Sequence, residues 1–239
     1  MIKRLDSKYE KKVIDYLNIE KEINTFNLQE LKNYGFDNVF YKVYSDIDED
    51  GNINGILFKC FEYLTFYSYG EFDVDKFCEF ISDIEFNEIS GKTECVEVIA
   101  KKLGLLKYRK VHLCRLDYID DIEKNINPNL KLKKINIFNI KKVVKLYEEI
   151  GEFQNTTIES LRSNLKSGRG YCIEDRKKVI SMAKSTAEND NTAMIIGVGT
   201  HPKYRNRGLA SKCLIKLCKE LLAENIKPCL FYDNEEAGK

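Results

Sequence analysis

Along the first third of the chain the apolar positions alternate between helical and strand periods. Tyr9, Val13, Ile14 and Leu17 fall on one helical face and predict an opening helix. A loop region containing Gly35 follows. The run from Val39 to Tyr69 is dense in aromatic and β-branched residues. It reads as a strand, a turn and one or two further strands, antiparallel because the connections are short. Val74, Phe77, Cys78 and Ile81 return to helical spacing. Val96, Ile99, Ala100 and Leu103 repeat it, with Gly104 as a stop. A strand is expected at 110–116.

The polar segment from Tyr118 to Leu130 breaks this pattern and holds Pro128, so it reads as a linker. It divides the chain into an α+β domain over 1–128 and a second domain over 129–239. The second opens with a strand over Leu132 to Ile137. A helix face of Ile140, Val143, Val144 and Tyr147 comes next. Thr156 with Glu159 predicts a capping box opening a helix that carries Ile158, Leu161 and Leu165. Strands are expected over Gly170 to Glu174, Val179 to Thr186 and Thr192 to Thr200, joined by polar turns. Ala210, Cys213, Leu214, Leu217 and Leu221 form a long amphipathic helix, and Pro228 to Tyr232 a last strand. The order β-α-α-β-β-β-α-β predicts a mixed α/β sheet, antiparallel first and then crossed once by a helix.

Composition narrows the function classes. The 239 residues carry 39 Lys and Arg against 38 Asp and Glu, a net charge of +1. That balance argues against a nucleic-acid partner held by bulk charge, and it leaves room for a local anion pocket. The eight cysteines contain no C-x-x-C pair, and several lie in apolar periodic runs, so they read as reduced core residues. The two histidines, His112 and His201, are far apart, and no metal site is expected. The N-terminus has no apolar signal region and no run reaches membrane-spanning length, so a cytoplasmic chain without a membrane partner is expected.

Two motif fragments favour bland readings. Asp46 to Ile53 resembles the start of an EF-hand loop, but Leu57 stands where the bidentate Glu belongs, so a hairpin turn is expected. Ser90-Gly91-Lys92-Thr93 resembles the end of a P-loop, but Phe86 replaces the required glycine, so a helix start at Thr93 is expected.

The informative stretch runs from Ile195 to Leu222. A strand ends at Thr200, His201-Pro202 breaks it, and Arg205-Asn206-Arg207-Gly208-Leu209-Ala210 turns into the long helix. Glycine at a helix start, preceded by arginines, suits an anion: free amides and the positive helix end face it, and the guanidiniums add charged hydrogen bonds. Gly197 and Gly199 share one strand face and leave room for a ligand. The spacing of Arg205, Gly208 and Ala210 resembles the [QR]-x-x-G-x-[GA] signature of the GNAT superfamily of acyl-CoA-dependent N-acyltransferases. Val198, Thr200, Pro202 and Tyr204 resemble its strand-to-helix passage. Leu230 to Ala237 resembles its fifth strand and the Asn opening its next helix.

The resemblance covers roughly the residues from Leu130 onward, and it implies a specific site. Coenzyme A pyrophosphate would sit on Arg205, Asn206, Arg207, Gly208, Leu209 and Ala210. The pantetheine arm would lie along Ile196, Val198, Gly199 and Thr200, and Asn234 would contact the cofactor. The implied reaction is direct attack of an amine of unknown identity on acetyl-CoA. The competing reading is a non-catalytic acyl-CoA-binding or interaction module. The family's Tyr acid and last two strands have no counterpart before Lys239, so the domain is expected to lack its last strands. Another segment, a subunit or a longer chain would supply them. The exposed strand edge that results invites pairing into a homodimer. No catalytic residue is assigned; Tyr232 and Glu152 are positional candidates only. The first half carries no such motif. Its element order suggests a degenerate unit of the same kind, in tandem with the second.

Overall fold

The computed structural model describes residues 1–120, 130–151 and 156–233. It divides into two compact units, Met1–Val111 and His112–Lys239. The first unit contains β1 (Ile2–Arg4), α1 (Glu10–Leu17), α2 (Thr25–Tyr34), β2 (Tyr41–Ile47), β3 (Ile53–Cys60), β4 (Tyr63–Tyr67), α3 (Val74–Ser82), β5 (Glu88–Gly91) and α4 (Thr93–Lys102). Its sheet runs β1-β2-β3-β4-β5. The first four strands are antiparallel, and β5 joins β4 in parallel after the α3 crossover.

The second unit contains β6 (His112–Arg115), β7 (Lys131–Lys134), α5 (Ile140–Ile150), α6 (Ile158–Lys166), β8 (Gly170–Asp175), β9 (Lys178–Thr186), β10 (Thr192–Thr200), α7 (Leu209–Ala223) and β11 (Lys227–Tyr232). Strands β7 to β10 are antiparallel in sequence order, and β11 joins β10 in parallel. From β7 onward this is the first unit's order of elements and of strands. The two halves share one topology.

The boundary differs from the expected break after residue 128, which lies outside the described residues. His112–Arg115 is a strand, as expected, but it pairs antiparallel with β11 through Cys229 to Tyr232. The Leu116 amide continues the ladder onto the Pro228 carbonyl at 2.8 Å. The backbone of β6 therefore belongs to the second sheet. The edge of β11 that the sequence left open is occupied by this upstream segment, and among the described residues the outer strands are β6 and β7.

Each sheet is packed on both faces. In unit one, Val13 and Leu17 of α1 and Leu31 of α2 meet Tyr41, Val43, Ile56 and Phe58. Phe77, Cys78, Ile81 and Ile99 cover Leu57, Leu64 and Phe66 on the other face. In unit two, Leu209, Cys213, Leu217 and Leu221 of α7 cover Ile173, Ile180 and Ala183. Ile140, Val143, Leu146, Tyr147 and Leu161 cover Cys172, Val179 and Met182. Tyr171 and Ile173 face α7 while Cys172 faces α5 and α6, the two-residue alternation of a strand.

Smaller expectations meet mixed outcomes. Asp46 to Ile53 forms the β2–β3 hairpin turn, where the Asp48 carboxylate accepts from the Asn52 amide at 2.6 Å. Lys92 precedes a helix that starts at Thr93. The capping box stands one residue later than expected: Thr157 and Ser160 cap α6 reciprocally at 3.0 Å. A Ser hydroxyl at the third helical position serves as well as the Glu159 carboxylate would, so the phase of the box was ambiguous. None of the eight cysteines is in a disulfide. Among the described residues, no helix is long and apolar enough to cross a membrane. No group of three or more His, Cys, Asp or Glu converges there to hold a metal ion.

Candidate functional site

Strand β10 changes character halfway along. Thr192, Ala193 and Met194 pair with Lys227, Pro228 and Cys229 of β11, and the pairing stops there. On the other side the register against β9 shifts between Ile196 and Gly199. Gly197 sits inside that bulge in the left-handed region, at φ 60°. A Cβ at Gly197 would overlap the Tyr147 hydroxyl, so only glycine fits. Beyond Met194, among the described residues, the polar edge of β10 facing β11 has no strand against it. Ile196, Gly199 and Thr200 are half-buried there, and Val198 is exposed. The Ser181 hydroxyl donates to the Gly199 carbonyl at 3.1 Å and shares a 2.8 Å hydrogen bond with the Thr200 hydroxyl, fixing this stretch from the β9 side.

The loop after β10 is held by its own side chains. His201 Nδ1 accepts from the Lys203 amide at 3.1 Å, and the Tyr204 hydroxyl donates to Asp175 at 3.0 Å. Arg205 Nε donates to the Thr200 carbonyl at 3.3 Å. Arg207 donates to the Lys203 carbonyl at 3.3 Å and lies over the Tyr204 ring. Arg205, Asn206 and Arg207 are exposed. Asn206 and Gly208 both take left-handed backbone, at φ 61° and 68°. Gly208 is the N-cap of α7, and no side chain caps it. The first intrahelical bond runs from the Lys212 amide to the Gly208 carbonyl, so the amides of residues 209–211 have no partner within the helix. The Leu209 side chain is core, which leaves only its backbone to a ligand, and Ala210 is half-buried.

The equivalent junction of the first unit is chemically opposite. Strand β4 ends at Tyr67 without a bulge, and its pairing with β5 runs up to Phe66 and Gly91. The loop to α3 carries Glu71 and Asp73 rather than arginines. The Asp73 carboxylate accepts from the Lys76 amide at 3.0 Å and fills the helix N-terminus. An anion meets a negative cap there.

Three side chains from different elements converge on the Gly197 bulge. Tyr147 comes from α5 and is buried. Lys184 comes from β9, opposite Ile196 in register, and is 3% exposed. Asn164 comes from α6, and its Oδ1 accepts from Lys184 Nζ at 2.6 Å. Burial raises the Tyr147 phenol and lowers the Lys184 ammonium to about 8. Sequence reasoning passed over Lys184. The two-residue period that puts Met182 against α5 was the available signal, because it puts Lys184 on the same covered face. Nearer the loop, His201 Nε2 lies 3.5 Å from Glu149 of α5.

Of the expected site residues, the structure brings Ile196, Val198, Gly199 and Thr200 into one strand end. It brings Arg205 through Ala210 into the adjoining loop and helix start. Asn234 and Glu152 lie outside the described residues. Tyr232 is half-buried on β11, its ring stacked on His112 at 5.2 Å.

A family model described as GNAT acetyltransferase matches residues 76–239. No curated protein gives a significant match. Among solved structures, a GCN5-related N-acetyltransferase from Kribbella flavida superposes with a TM-score of 0.62 at 13% identity, over 92% of this chain and 87% of that one. A tandem GNAT protein from the clavulanic acid biosynthesis pathway gives 0.61 at 9% identity, over 98% of this chain and 90% of that one. A GNAT-family protein from Novosphingobium aromaticivorans aligns over 54% of this chain at 21% identity, with a TM-score of 0.42. In that comparison the chain spans 55% of the other protein's length. At these identities the likenesses are likenesses of fold.

Proposed function

The chain belongs to the GNAT acetyltransferase family, and we propose that its second unit binds acetyl-CoA and transfers the acetyl group to an amine by direct attack. The observation that carries this reading is the junction of β10 and α7. A strand end that, among the described residues, has no partner on its β11 side leads into a loop with two left-handed residues, two exposed arginines and an uncapped helix N-terminus.

The residues suit the group. The amides of 209–211, the positive end of α7 and the Arg205 and Arg207 guanidiniums would hold the pyrophosphate. Gly208 keeps Cβ bulk away from it, and Asn206 completes the turn. Ile196, Val198, Gly199 and Thr200 would offer backbone donors and acceptors to the amide-bearing arm, as a missing strand would. Asn234 is retained from the sequence as a further contact. When bound, acetyl-CoA supplies an activated thioester. The chain's own task is to orient that thioester and to present strand amides where its carbonyl oxygen gains negative charge. The first unit's acidic junction assigns it no such role in this reading.

The test is a calorimetric titration of coenzyme A into the full chain. Binding is expected, and Gly208→Glu is expected to abolish it by placing a carboxylate in the anion loop. A wild-type protein that does not bind coenzyme A contradicts the reading. Thioester consumption in the presence of amines then separates a transferase from a binding module.

A further inference from the structure

Among the described residues of the second unit, Lys184 is the one charged side chain that is buried. Among the described residues its surroundings are apolar or neutral. From β8, Gly170 packs so closely that a Cβ there would meet the Lys184 Cβ at 2.9 Å. From α6 comes the Asn164 carboxamide, 2.6 Å from Nζ. From α5 comes the Tyr147 phenol, which burial keeps protonated. From β10, a Cβ at Gly197 would stand 3.1 Å from Lys184 Cε, so the end of the lysine reaches the bulge. Among the described residues no carboxylate pairs with Lys184, and burial by itself accounts for its lowered ammonium pKa. A cation buried for structural reasons is ordinarily paired. This one is held by a single carboxamide, at the point where β10 leaves both regular pairings.

We propose that Lys184 is the general base of the acyl transfer, taking the proton of the attacking amine beside the Gly197 bulge. The inference rests on the reading that the acyl donor lies along the splayed end of β10. In the step, the acceptor nitrogen forms a bond to the thioester carbonyl carbon and the carbon–sulfur bond breaks. Its electron pair leaves on sulfur, and the proton lost by nitrogen passes to the neutral Nζ. Lys184 then releases that proton to the departing thiolate or to water, so that thiol and amide are the products. The donor bond to Asn164 Oδ1 engages one N–H and leaves the lone pair available. A lysine tuned to near neutrality by burial is suited to this work. An incoming ammonium favours the neutral form further, because two cations in one dry pocket repel.

The test needs only acetyl-CoA as probe and the intact chain. Acetyl-CoA is titrated calorimetrically in buffers of different ionisation enthalpy, which counts protons released on binding. Covering the bulge with the donor desolvates Lys184 further. Wild type is therefore expected to release up to about half a proton at pH 8, from a lysine that titrates at about 8, and none by pH 10. Lys184→Met is expected to bind within about threefold of wild type and to release none. Release unchanged in Lys184→Met, or no release by a wild type that binds, overturns the assignment while leaving the binding reading intact. A wild type that does not bind overturns both. Lysine ε-carbon NMR on the wild type serves as a second measurement, independent of whether the variant folds. One signal with a midpoint near 8 that falls on saturation with acetyl-CoA supports the assignment. Midpoints all in the ordinary lysine range, or unmoved by the ligand, overturn it.

Discussion

Burying Lys184 with no counter-charge among the described residues costs the folded state at neutral pH. The unfolded chain holds that proton up to about 10.5 and the folded chain only to about 8, so between those values the unfolded state binds more protons. Stability contributed at this site is therefore lowest below pH 8 and recovers as pH rises toward 10.5. Lys184→Met is expected to stabilise the protein by on the order of 3 kcal/mol at pH 7. The gain should shrink below about 1 kcal/mol by pH 10, as read by denaturant unfolding at the two pH values. Gly197 is the second residue under constraint. Gly197→Ala would combine left-handed strain with overlap on Tyr147, an expected loss of about 1–3 kcal/mol by the same measurement. Tyr147→Phe in the same chain should recover part of it. The sequence announced Gly197 only as one of two glycines on a strand face. That it marks a bulge depends on a tyrosine fifty residues upstream, which a local pattern does not reveal.

At the scale of elements, periodicity was informative where one face is apolar and silent where it is not. Helices α1, α3, α5 and α7 stood out because buried Val, Phe, Ile and Leu recur at helical spacing. Helix α2 carries no apolar stripe, because three of its four buried residues, Thr25, Asn27 and Gln29, are polar. Gly35 is that helix's C-cap, at φ 62°, rather than part of a loop. Strands β1 and β5, three and four residues long, are too short for alternation to register. Strand β6 is legible as a strand, but its pairing with β11 crosses more than 110 residues, beyond any local signal. That pairing has a consequence. Cys114→Pro, opposite Leu230, should break the β6 ladder and expose the β11 edge. Larger species in size-exclusion chromatography are expected, and an unchanged elution volume argues against β6 as an edge cover. At the β10–α7 loop, Arg205→Ala and Arg207→Ala are each expected to weaken coenzyme A binding about tenfold, with the loss smaller at high salt.

For the molecule as a whole, the chain is one topology used twice with opposite chemistry at the same junction. The second unit offers arginines, left-handed turns and an uncapped helix. The first offers a carboxylate cap and a strand pair without a bulge. Balanced composition concealed this, because a net charge of +1 averages over two halves whose local charges differ in sign where it matters. The signature at Arg205 to Ala210 was legible because it is local. The duplicate fold of the first half was legible only as an order of elements. The stoichiometry of acetyl-CoA binding to the intact chain measures directly whether one unit alone carries the acyl-CoA site. One equivalent per chain, lost in Gly208→Glu, is the predicted result; two equivalents, none, or one that survives Gly208→Glu would contradict it.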